Sequence, residues 1–450
     1  MSKMNRVLET YIMPLAGKAA QQRHLQALRD GMVLTMPLII IGSLFLILAN
    51  LPFQAYTDFL TEHPKLKASI LYPYRGTFEI MALVATFGIA YRLGESYKVD
   101  ALASGAVSLA AFFVGTPFVS YTIGENADGT AMVETAYQTA MFTSKGLFVG
   151  MVIAVIATEV YRKIIQKNIV IKLPETVPPA VARSFSALIP GFGAVMVIWA
   201  LRLLVENVGD FGNLHNVVTV LLQQPLTHIG TSLVGTILIF ILITLMWSTG
   251  LHGATIVGSV MTPVWLTLTT ENATALASGE PVKHIVTNEF NDIVFVGGSG
   301  TTLSLVLAMV LFAKSQQMKQ LGRLSIGPGF FNINEPVIFG MPIVLNPIMI
   351  IPFILAPLLS VIITYVSMDI GLVAKPIGIV TPFTMPPVIS GYLITGSVSG
   401  AVLQLVLMVV SFGVYFPFFK MWDKQKLIEE TGASIDRDRS PVKEEQQSIV

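Results

Sequence analysis

Long runs of apolar residues recur along this chain and restrict its possible folds more than any other feature. A helix needs roughly 20 mostly apolar residues to cross about 30 Å of hydrocarbon. The clearest runs are 31–51, 77–95, 100–120, 146–165, 185–206, 230–248, 292–314, 346–366 and 397–420, with a weaker one at 252–270. Only 12% of the residues are charged, about half the share in a typical soluble protein. We therefore predict an all-α polytopic membrane protein with about ten transmembrane helices.

The remaining composition excludes several classes of function. With 28 Lys+Arg against 27 Asp+Glu, the chain lacks the basic excess that a nucleic-acid partner requires. It contains no cysteine, which excludes disulfides, thiolate metal sites and a Cys nucleophile. We expect no cleavable signal peptide, because charges from Lys3 to Asp30 interrupt everything before the first apolar run.

The positions of Lys and Arg predict the orientation, because cytoplasmic loops carry an excess of both. They precede the first span and recur after the second, at Arg92 and Lys98, and after the fourth, eighth and last spans. The intervening loops 121–144 and 207–229 contain neither. If 252–270 also crosses, ten spans place these groups on one side, with both termini in the cytoplasm.

Proline and glycine interrupt two further apolar segments, 327–345 and 376–395. Irregular backbone at membrane depth is tolerated only where it is buried in protein or lines a watery cavity. We interpret both segments as re-entrant hairpins or interrupted helices rather than as surface loops. Pro263 makes 252–270 a third candidate of this kind.

A polar linker at 166–184, with three prolines, divides the spans into two groups. The predicted parts are a cytoplasmic amphipathic N-terminus at 1–30, a first transmembrane part at 31–184, a second at 185–420, and a charged cytoplasmic tail at 421–450. We expect 423–450 to be disordered. The interrupted segments belong to the second part. We expect the transport site there.

The strongest local signal is the sequence Asn332-Ile333-Asn334-Glu335-Pro336 within an apolar segment. A charged group at the bilayer centre costs about 2.5–3.5 kcal/mol even on insertion scales, and Pro336 removes a backbone donor beside it. One interpretation is that Glu335 caps a half-helix or pairs with an arginine. We favour the other, that Glu335 binds a neutral polyol and accepts the proton of one hydroxyl.

A second signal is His252, which lies between Gly250 and Gly253 after a long apolar run that ends near Trp247. The glycines would let a ligand approach the backbone, and Trp247 offers a ring face for sugar C–H groups. A lone histidine is more often a core residue. A ligand-binding role for His252 is favoured only if the residue lies beside Glu335.

The stretch 288–305 combines Asn288, Asn291 and Asp292 with a glycine run at 297–300. No Gly-Lys-Ser/Thr follows, so this is not a phosphate loop. We interpret the glycines as a site of close helix packing and the polar residues as the mouth of the site. Arg92 ends the second span, either as an interfacial arginine or as a ligand.

The chain shows no sign of an energy source of its own. It has no metal-ligand spacing, no nucleotide motif, and no alternation of acids and bases along its spans as in a proton relay. We expect no cofactor and no metal.

These stretches resemble the membrane-embedded IIC permease of the bacterial phosphotransferase system, in its lactose/cellobiose/N,N'-diacetylchitobiose branch. The resemblance covers about residues 1–425 and is carried by 22-QRHLQALRDGMVLTMPLIIIGS-43, 247-WSTGLHG-253, 296-VGGSGTTLSL-305 and 331-FNINEPVIFGMPIVLNP-347. It implies a homodimer in the bacterial inner membrane, ten membrane helices per subunit, a dimerising first part and a sugar-binding second part.

The resemblance also implies roles for residues. Glu335 and His252 match the Glu and His placed near the sugar's C6 hydroxyl, which receives phosphate from a separate IIB protein charged through IIA. Asn334, Gly253 and Asn288 are weaker matches, and Arg92 is weaker again. IIB of this branch carries its phosphate on a cysteine, so a chain without cysteine does not contain that donor.

The predicted function is a sugar permease that carries a β-linked disaccharide, of cellobiose or diacetylchitobiose type, to the cytoplasmic side for phosphorylation at C6. The chain alone is then not an enzyme. An ion-coupled transporter of a polar solute is the alternative, since it also uses broken helices and intramembrane acids. A third interpretation assigns the interrupted segments to assembly or sensing.

Overall fold

We describe the chain from a computed structural model, which covers residues 18, 21–50, 54–125, 131–174, 176–207, 211–341, 343–344 and 346–431. Helices dominate these residues, and a single two-stranded sheet accompanies them. Most of the predicted N-terminal segment 1–30 and the tail beyond 431 lie outside the described residues.

Helices up to residue 207 form what we call the N-terminal region. They are α1 (Arg23–Val33), α2 (Met36–Ala49), α3 (Gln54–Glu62), α4 (Pro64–Ile70), α5 (Tyr72–Arg75), α6 (Met81–Ser96), α7 (Ala101–Gly115), α8 (Ser144–Gln166), α9 (Pro179–Ser186) and α10 (Leu188–Asn207), with 3₁₀ turns at Phe78–Ile80 and Thr139–Phe142.

Small residues hold this region together. A Cβ on Gly88 of α6 would lie 2.8 Å from the carbonyl oxygen of Gly31 in α1, and one on Gly94 would lie 2.9 Å from Ser104 Oγ in α7. The helix backbones therefore approach closely, as is common between membrane helices. The long helices α6, α7, α8 and α10 pack side by side as a bundle of continuous helices.

A β-hairpin is the exception to the predicted all-α fold. Strands β1 (Val119–Glu125) and β2 (Ala131–Ala136) pair antiparallel, with Val119 opposite Ala136. They lie in the loop 121–144, where β-branched and aromatic residues such as Tyr121 and Ile123 favour extended backbone.

Helices from residue 211 onward form what we call the C-terminal region. They are α11 (Leu214–Val218), α12 (Gln224–Thr231), α13 (Leu233–Ser248), α14 (Gly253–Ser278), α15 (Phe290–Val294), α16 (Leu303–Phe312), α17 (Gln316–Phe330), α18 (Glu335–Gly340), α19 (Pro347–Asp369), α20 (Ile389–Thr395) and α21 (Val398–Thr431), with a π-helical turn at Thr219–Gln223.

The boundary between the two regions lies after the linker at 166–184. Helix α10 packs mainly against α7 and α8, so its contacts place it with the first group of spans rather than the second. The loop expected at 207–229 is largely helical, since α11 and α12 occupy it. By its contacts the first group of helices therefore extends to residue 207, and the division into a dimerising and a sugar-binding part stays a prediction.

Helix α14 corrects the expectation of a re-entrant segment near 252–270. It is one helix of 26 residues, with Pro263 inside it. A proline removes one backbone bond, but membrane helices tolerate it where neighbours compensate. Helix α14 packs against α13, α1 and α8. At 1.5 Å per residue it is roughly 39 Å long, enough in length for a bilayer, but it is not among the helices that are also apolar enough to cross one.

The predicted span 292–314 is broken instead. Helix α15 ends at Val294 and α16 begins at Leu303. Between them Gly297, Gly298 and Gly300 have φ angles of +80°, +89° and +91°, which an L side chain rarely adopts. The glycines turn the chain, and they also permit the close packing that we predicted, since a Cβ on Gly300 would collide with the ring of Phe353 in α19.

Both segments predicted to be interrupted contain a break in the helix, and their re-entrant course stays a prediction. In 327–345, α17 ends at Phe330, a turn follows, and α18 begins at Glu335; Pro342 lies outside the described residues. In 376–395 the backbone is irregular until α20 begins at Ile389.

Part of the predicted tail is folded. Helix α21 continues to Thr431, and Asp423 is 2% exposed. Its Oδ1 accepts hydrogen bonds from the N–H groups of Lys314 and Ser315, at 3.1 and 3.0 Å. The expectation of a disordered segment from residue 423 is therefore wrong as far as residue 431.

Within the described residues, five helices or helix pairs are long and apolar enough to cross a membrane: Arg23–Ala49, Tyr72–Ser96, Pro179–Asn207, Ile348–Asp369 and Val398–Thr431. A sixth would be Leu214–Thr231 with Leu233–Ser248, which are bent by 81°. The other helices are shorter, more polar or broken. These apolar helices establish a membrane protein, whereas the count of ten spans stays a prediction.

Candidate functional site

The broken segments of the C-terminal region meet around a cavity of about 280 Å³, near the lower end of the ~300–1,000 Å³ typical of small-molecule sites. Its walls come from the turn between α13 and α14, from α14, from α15, from the glycine loop and from the turn before α18. The lining residues are Ile243, Trp247, His252, Ala254, Gly258, Thr262, Trp265, Asn288, Asn291, Asp292, Phe295, Gly298, Ser299, Asn332, Asn334, Glu335 and Phe383.

Glu335 is the first residue of α18, with Pro336 behind it. Proline at the start of a helix costs no hydrogen bond, because the first N–H groups have no helical partner. Among the described residues no ion pair to Glu335 is formed. The interpretation that Glu335 forms an ion pair with an arginine therefore finds no support. The Glu335 side chain is exposed at the cavity.

His252 caps the N-terminus of α14 and lines the same cavity. Its Nδ1 accepts the backbone N–H of Thr255 at 3.1 Å and lies 2.7 Å from Thr255 Oγ1. A neutral ring that accepts at Nδ1 carries its proton on Nε2, which can then donate to a ligand. The ring of Trp247 lies 4.3 Å from that of His252, so the aromatic face and the imidazole belong to one surface.

The two carboxamides of the Asn-Ile-Asn-Glu-Pro motif mostly hold the backbone together. Asn334 donates through Nδ2 to Ser299 O at 2.6 Å and to Thr302 Oγ1 at 3.1 Å. Asn332 accepts the N–H of Gly297 at 2.8 Å. Asn334 is thus a positioning residue that ties the start of α18 to the glycine loop, besides lining the cavity.

The glycine loop permits this contact. A Cβ on Gly298 would lie 2.7 Å from the carbonyl oxygen of Asn332 and 2.7 Å from Asn334 Cγ. Any side chain there would push the loop away from the Glu335 turn. The function of this glycine is close approach of two backbones.

The segment 288–292 supplies the cavity's amides and a second acid. Asn288, Asn291 and Asp292 line the cavity, and Asn291 Nδ2 donates to Asn288 O at 3.0 Å. Glu289 does not line it. Its side chain is fully buried, and its Oε2 accepts a hydrogen bond from Thr269 Oγ1 at 2.9 Å.

Of the seven predicted site residues, the structure brings five to this cavity: Glu335, His252, Asn334, Asn288 and Trp247. Gly253 lies beside it, where a Cβ would collide with the carbonyl oxygen of Ile243. Arg92 lies elsewhere. Its Nη1 is 2.9 Å from Glu95 Oε2, in a pocket with Arg23 and Asp30.

Sequence reasoning missed the face that α14 presents to the cavity. Ala254, Gly258, Thr262 and Trp265 line it, at intervals of three or four residues that follow one side of a helix. The spacing was visible in the sequence. The cavity-lining face was not predicted because Pro263 was expected to break the helix.

The cavity suits an uncharged polyol. It combines two carboxylates, an imidazole N–H, four carboxamides and aromatic faces, and no Lys or Arg lines it within the described residues. An anionic ligand would meet Glu335 and Asp292 without a compensating cation. Hydroxyl groups would find both acceptors and donors.

Comparison with known proteins gives concordant matches. The family described as "Phosphotransferase system, EIIC" matches residues 29–357. The chain is 54% identical to the lichenan permease IIC component of Bacillus subtilis (strain 168), over 97% of each chain. It is 53% identical to the cellobiose-specific EIIC component of Geobacillus stearothermophilus, over 96% of each.

A solved structure matches the fold as a whole. It is the crystal structure of the transporter ChbC, the IIC component from an N,N'-diacetylchitobiose-specific phosphotransferase system. The TM-score is 0.89 and the sequence identity 52%, covering 95% of this chain and 100% of that one.

Proposed function

We infer the substrate and the roles of the site residues from one premise, which is that the chain belongs to the phosphotransferase system EIIC family. Members of this family are membrane transport subunits, and a separate IIB protein, charged through IIA, transfers the phosphoryl group. The chain is therefore the permease component of a sugar phosphotransferase and not an enzyme on its own.

We propose that the cavity binds a β-linked disaccharide of glucose or N-acetylglucosamine. The observation that carries this proposal is the cavity that Glu335 and His252 both line and that no Lys or Arg lines within the described residues. The relatives named for cellobiose and diacetylchitobiose support a β-linked substrate. In this proposal the C-terminal region is the sugar-binding part.

Glu335 and His252 lie beside the C6 hydroxyl in this proposal. The carboxylate accepts the hydroxyl's hydrogen bond and takes its proton when phosphate arrives, while Nε2–H of His252 donates to a neighbouring oxygen. Trp247 packs on the sugar's C–H face, and Asn288 binds a hydroxyl. Phosphorylation makes the sugar dianionic and prevents its return, so transport by this chain runs downhill.

We propose that both termini face the cytoplasm and that the chain forms a homodimer through its N-terminal region. Arg23, Arg92 and Arg162 gather at one end of that region, as cytoplasmic ends require.

Helix α10 leaves Phe192 66% exposed, on an apolar face that a second copy can cover. Because the chain has no cysteine, Phe192→Cys would report the dimer directly, by forming a disulfide-linked pair in membranes.

Two measurements test the proposed function. Purified protein titrated with cellobiose, diacetylchitobiose and lactose should bind one of the first two most tightly. Accumulation of sugar in vesicles, unlike downhill exchange, should require phosphorylated IIB on the cytoplasmic side, yield sugar 6-phosphate and survive an uncoupler. Uptake that the uncoupler abolishes, without a phosphorylated product, would instead establish an ion-coupled transporter.

A further inference from the structure

A second cavity of about 210 Å³ lies directly behind His252, between α1 and the start of α14. His252 lines both this cavity and the sugar cavity. The second cavity also contains Arg29 and Gln26 of α1 and Thr255 and Ser259 of α14. We call it the Arg29 cavity.

The two cavities differ in charge. The sugar cavity contains two carboxylates and no Lys or Arg, whereas the Arg29 cavity contains one guanidinium and no carboxylate, within the described residues. It also adjoins the N-terminus of α14, whose partial positive charge favours an anion. A neutral ligand suits the first cavity, and an anion suits the second.

The Arg29 side chain is held in place by its neighbour. Its Nε donates to Asp30 Oδ1 at 2.7 Å, and the side chain is 32% exposed. A guanidinium fork presents several donors in a fixed plane, which matches the oxygens of a phosphoryl group. Asp30 does not line the Arg29 cavity.

A third pocket adjoins the Arg29 cavity. Gln26 lines both, and the third pocket also contains Arg23, Asp30, Arg92 and Glu95. The three pockets are thus neighbours, with His252 shared by the first two and Gln26 by the last two. The third lies at the end where arginines gather, which the proposed orientation places in the cytoplasm.

We propose that the Arg29 cavity receives the phosphoryl group of the phosphorylated donor protein, and that Arg29 binds that group while it passes to the sugar. The inference rests on the proposed function, because it requires a C6 hydroxyl beside His252. Beyond the proposed function, the inference specifies the side from which the phosphoryl group approaches the sugar. It also assigns a role in the transfer to Arg29, a residue of the N-terminal region.

The chemical step balances without any further reactant. The sugar O6 attacks the phosphorus of the donor's phosphocysteine and the new P–O bond forms. The S–P bond breaks, and its electron pair stays on the cysteine sulfur as a thiolate. The hydroxyl proton passes to the Glu335 carboxylate, and Arg29 stabilises the negative charge on the three phosphoryl oxygens during the transfer.

The test uses the full chain in liposomes, with a purified cysteine-type IIB protein charged from phosphoenolpyruvate. Sugar affinity and the exchange of unphosphorylated sugar are measured without the donor, and sugar phosphate formation with it. For Arg29→Gln we expect phosphorylation to fall by about 100-fold or more, with affinity and exchange within about two-fold of wild type. Arg29→Lys should fall less, because it keeps the charge but loses the fork.

Arg323→Gln is the matched control. Arg323 is an exposed arginine of α17 that lines none of the three pockets, and its loss should leave all three measurements unchanged. Phosphorylation by Arg29→Gln at the wild-type rate overturns the inference. So does a parallel loss of sugar binding, because Arg29 would then support the sugar cavity. Failure of the proposed function looks different: the wild-type protein itself would then bind none of the sugars.

Discussion

The two regions of this membrane protein satisfy their backbones in different ways. In the N-terminal region the long helices are continuous, and glycines such as Gly31 and Gly88 bring them together. In the C-terminal region the helices are broken around the cavity, and buried side-chain amides bond to the free backbone groups. Asn272, for example, donates to the carbonyl oxygens of His284 and Pro376, both at 2.8 Å.

Gln404 does the same for the segment before α20. Its Oε1 accepts the N–H groups of Val388 at 2.6 Å and Gly391 at 2.9 Å. Backbone polar groups away from water must be paired, so each break in a membrane helix needs such a partner. Irregular backbone leaves N–H and C=O groups free to face a ligand. It is stable in the C-terminal region because amide side chains replace the hydrogen bonds that the broken helices lose.

The largest expected effect is on the rate of sugar phosphorylation. It should appear when the acid Glu335 of the C-terminal region is replaced, and not when Glu62 of the N-terminal region is. Glu335→Gln keeps an acceptor but cannot take a proton, so sugar phosphorylation should fall by about 10²–10⁴-fold, with a much smaller loss of affinity. Phosphorylation in liposomes with charged IIB measures the rate, and titration measures the affinity. Glu62→Gln, at an exposed acid of α3, should behave as wild type. An unchanged rate in Glu335→Gln would falsify the assignment of the site.

The next effect concerns stability and compares two asparagines with left-handed backbone, Asn332 with φ +62° and Asn168 with φ +57°. Glycine accepts this conformation, so replacing either residue by glycine removes only the side chain. Asn332 also donates through Nδ2 to the carbonyl oxygens of Phe383 and Met385, at 2.7 and 3.0 Å. Asn332→Gly should lower the free energy of unfolding by about 2–4 kcal/mol.

Asn168 is the control, since it lies exposed in the linker of the N-terminal region. Asn168→Gly should change stability by less than about 0.5 kcal/mol. Denaturant titrations in detergent measure both variants. Equal effects at the two positions would show that the amides of the C-terminal region are not what supports its broken backbone.

A smaller effect is expected at two aspartates that cap helices. Asp423 uses both carboxylate oxygens, and its Oδ2 also accepts the N–H of Lys314 at 2.9 Å. Asp100 uses only Oδ1, for Ala103 N at 3.0 Å. Because asparagine has one acceptor oxygen, Asp423→Asn should cost about 1–2 kcal/mol. Asp100→Asn should cost a few tenths of a kcal/mol, because Asn caps about as well as Asp.

The same titrations measure this pair. If Asp100→Asn proves as costly as Asp423→Asn, the clasp between α21 and the start of α17 contributes nothing beyond an ordinary cap. If the order is as expected, the charged segment after residue 420 is part of the folded C-terminal region.

The sequence predicts the fold well wherever one local property decides the structure. Hydrophobic length alone places α6, α8, α13, α19 and α21, because crossing the hydrocarbon is the dominant constraint. Glu335 stands out for the same reason, since an acid in an apolar segment is costly unless it has a function.

The prediction fails where a distant partner decides. Pro263 and Gly298 both look like local breaks or local packing, yet the first lies inside a helix and the second turns the chain. Helix α14 continues through Pro263 while it packs against α13, α1 and α8. Gly298 meets Asn332 and Asn334, more than 30 positions away. No periodicity or composition within a window encodes contacts at that separation.

The smallest expected effect sharpens the contrast between the regions at Arg92. The sequence allowed it to be a sugar ligand, but its ion pair with Glu95 joins side chains that are 43% and 42% exposed. Exposed pairs contribute about 0–1 kcal/mol, so Arg92→Gln should leave the free energy of unfolding within about 0.5 kcal/mol and the sugar affinity within two-fold. Titration of the variant with the best-bound disaccharide measures the affinity. A ten-fold loss would mean that a residue of the N-terminal region reaches the sugar in some state of transport, and that binding is not confined to the broken helices.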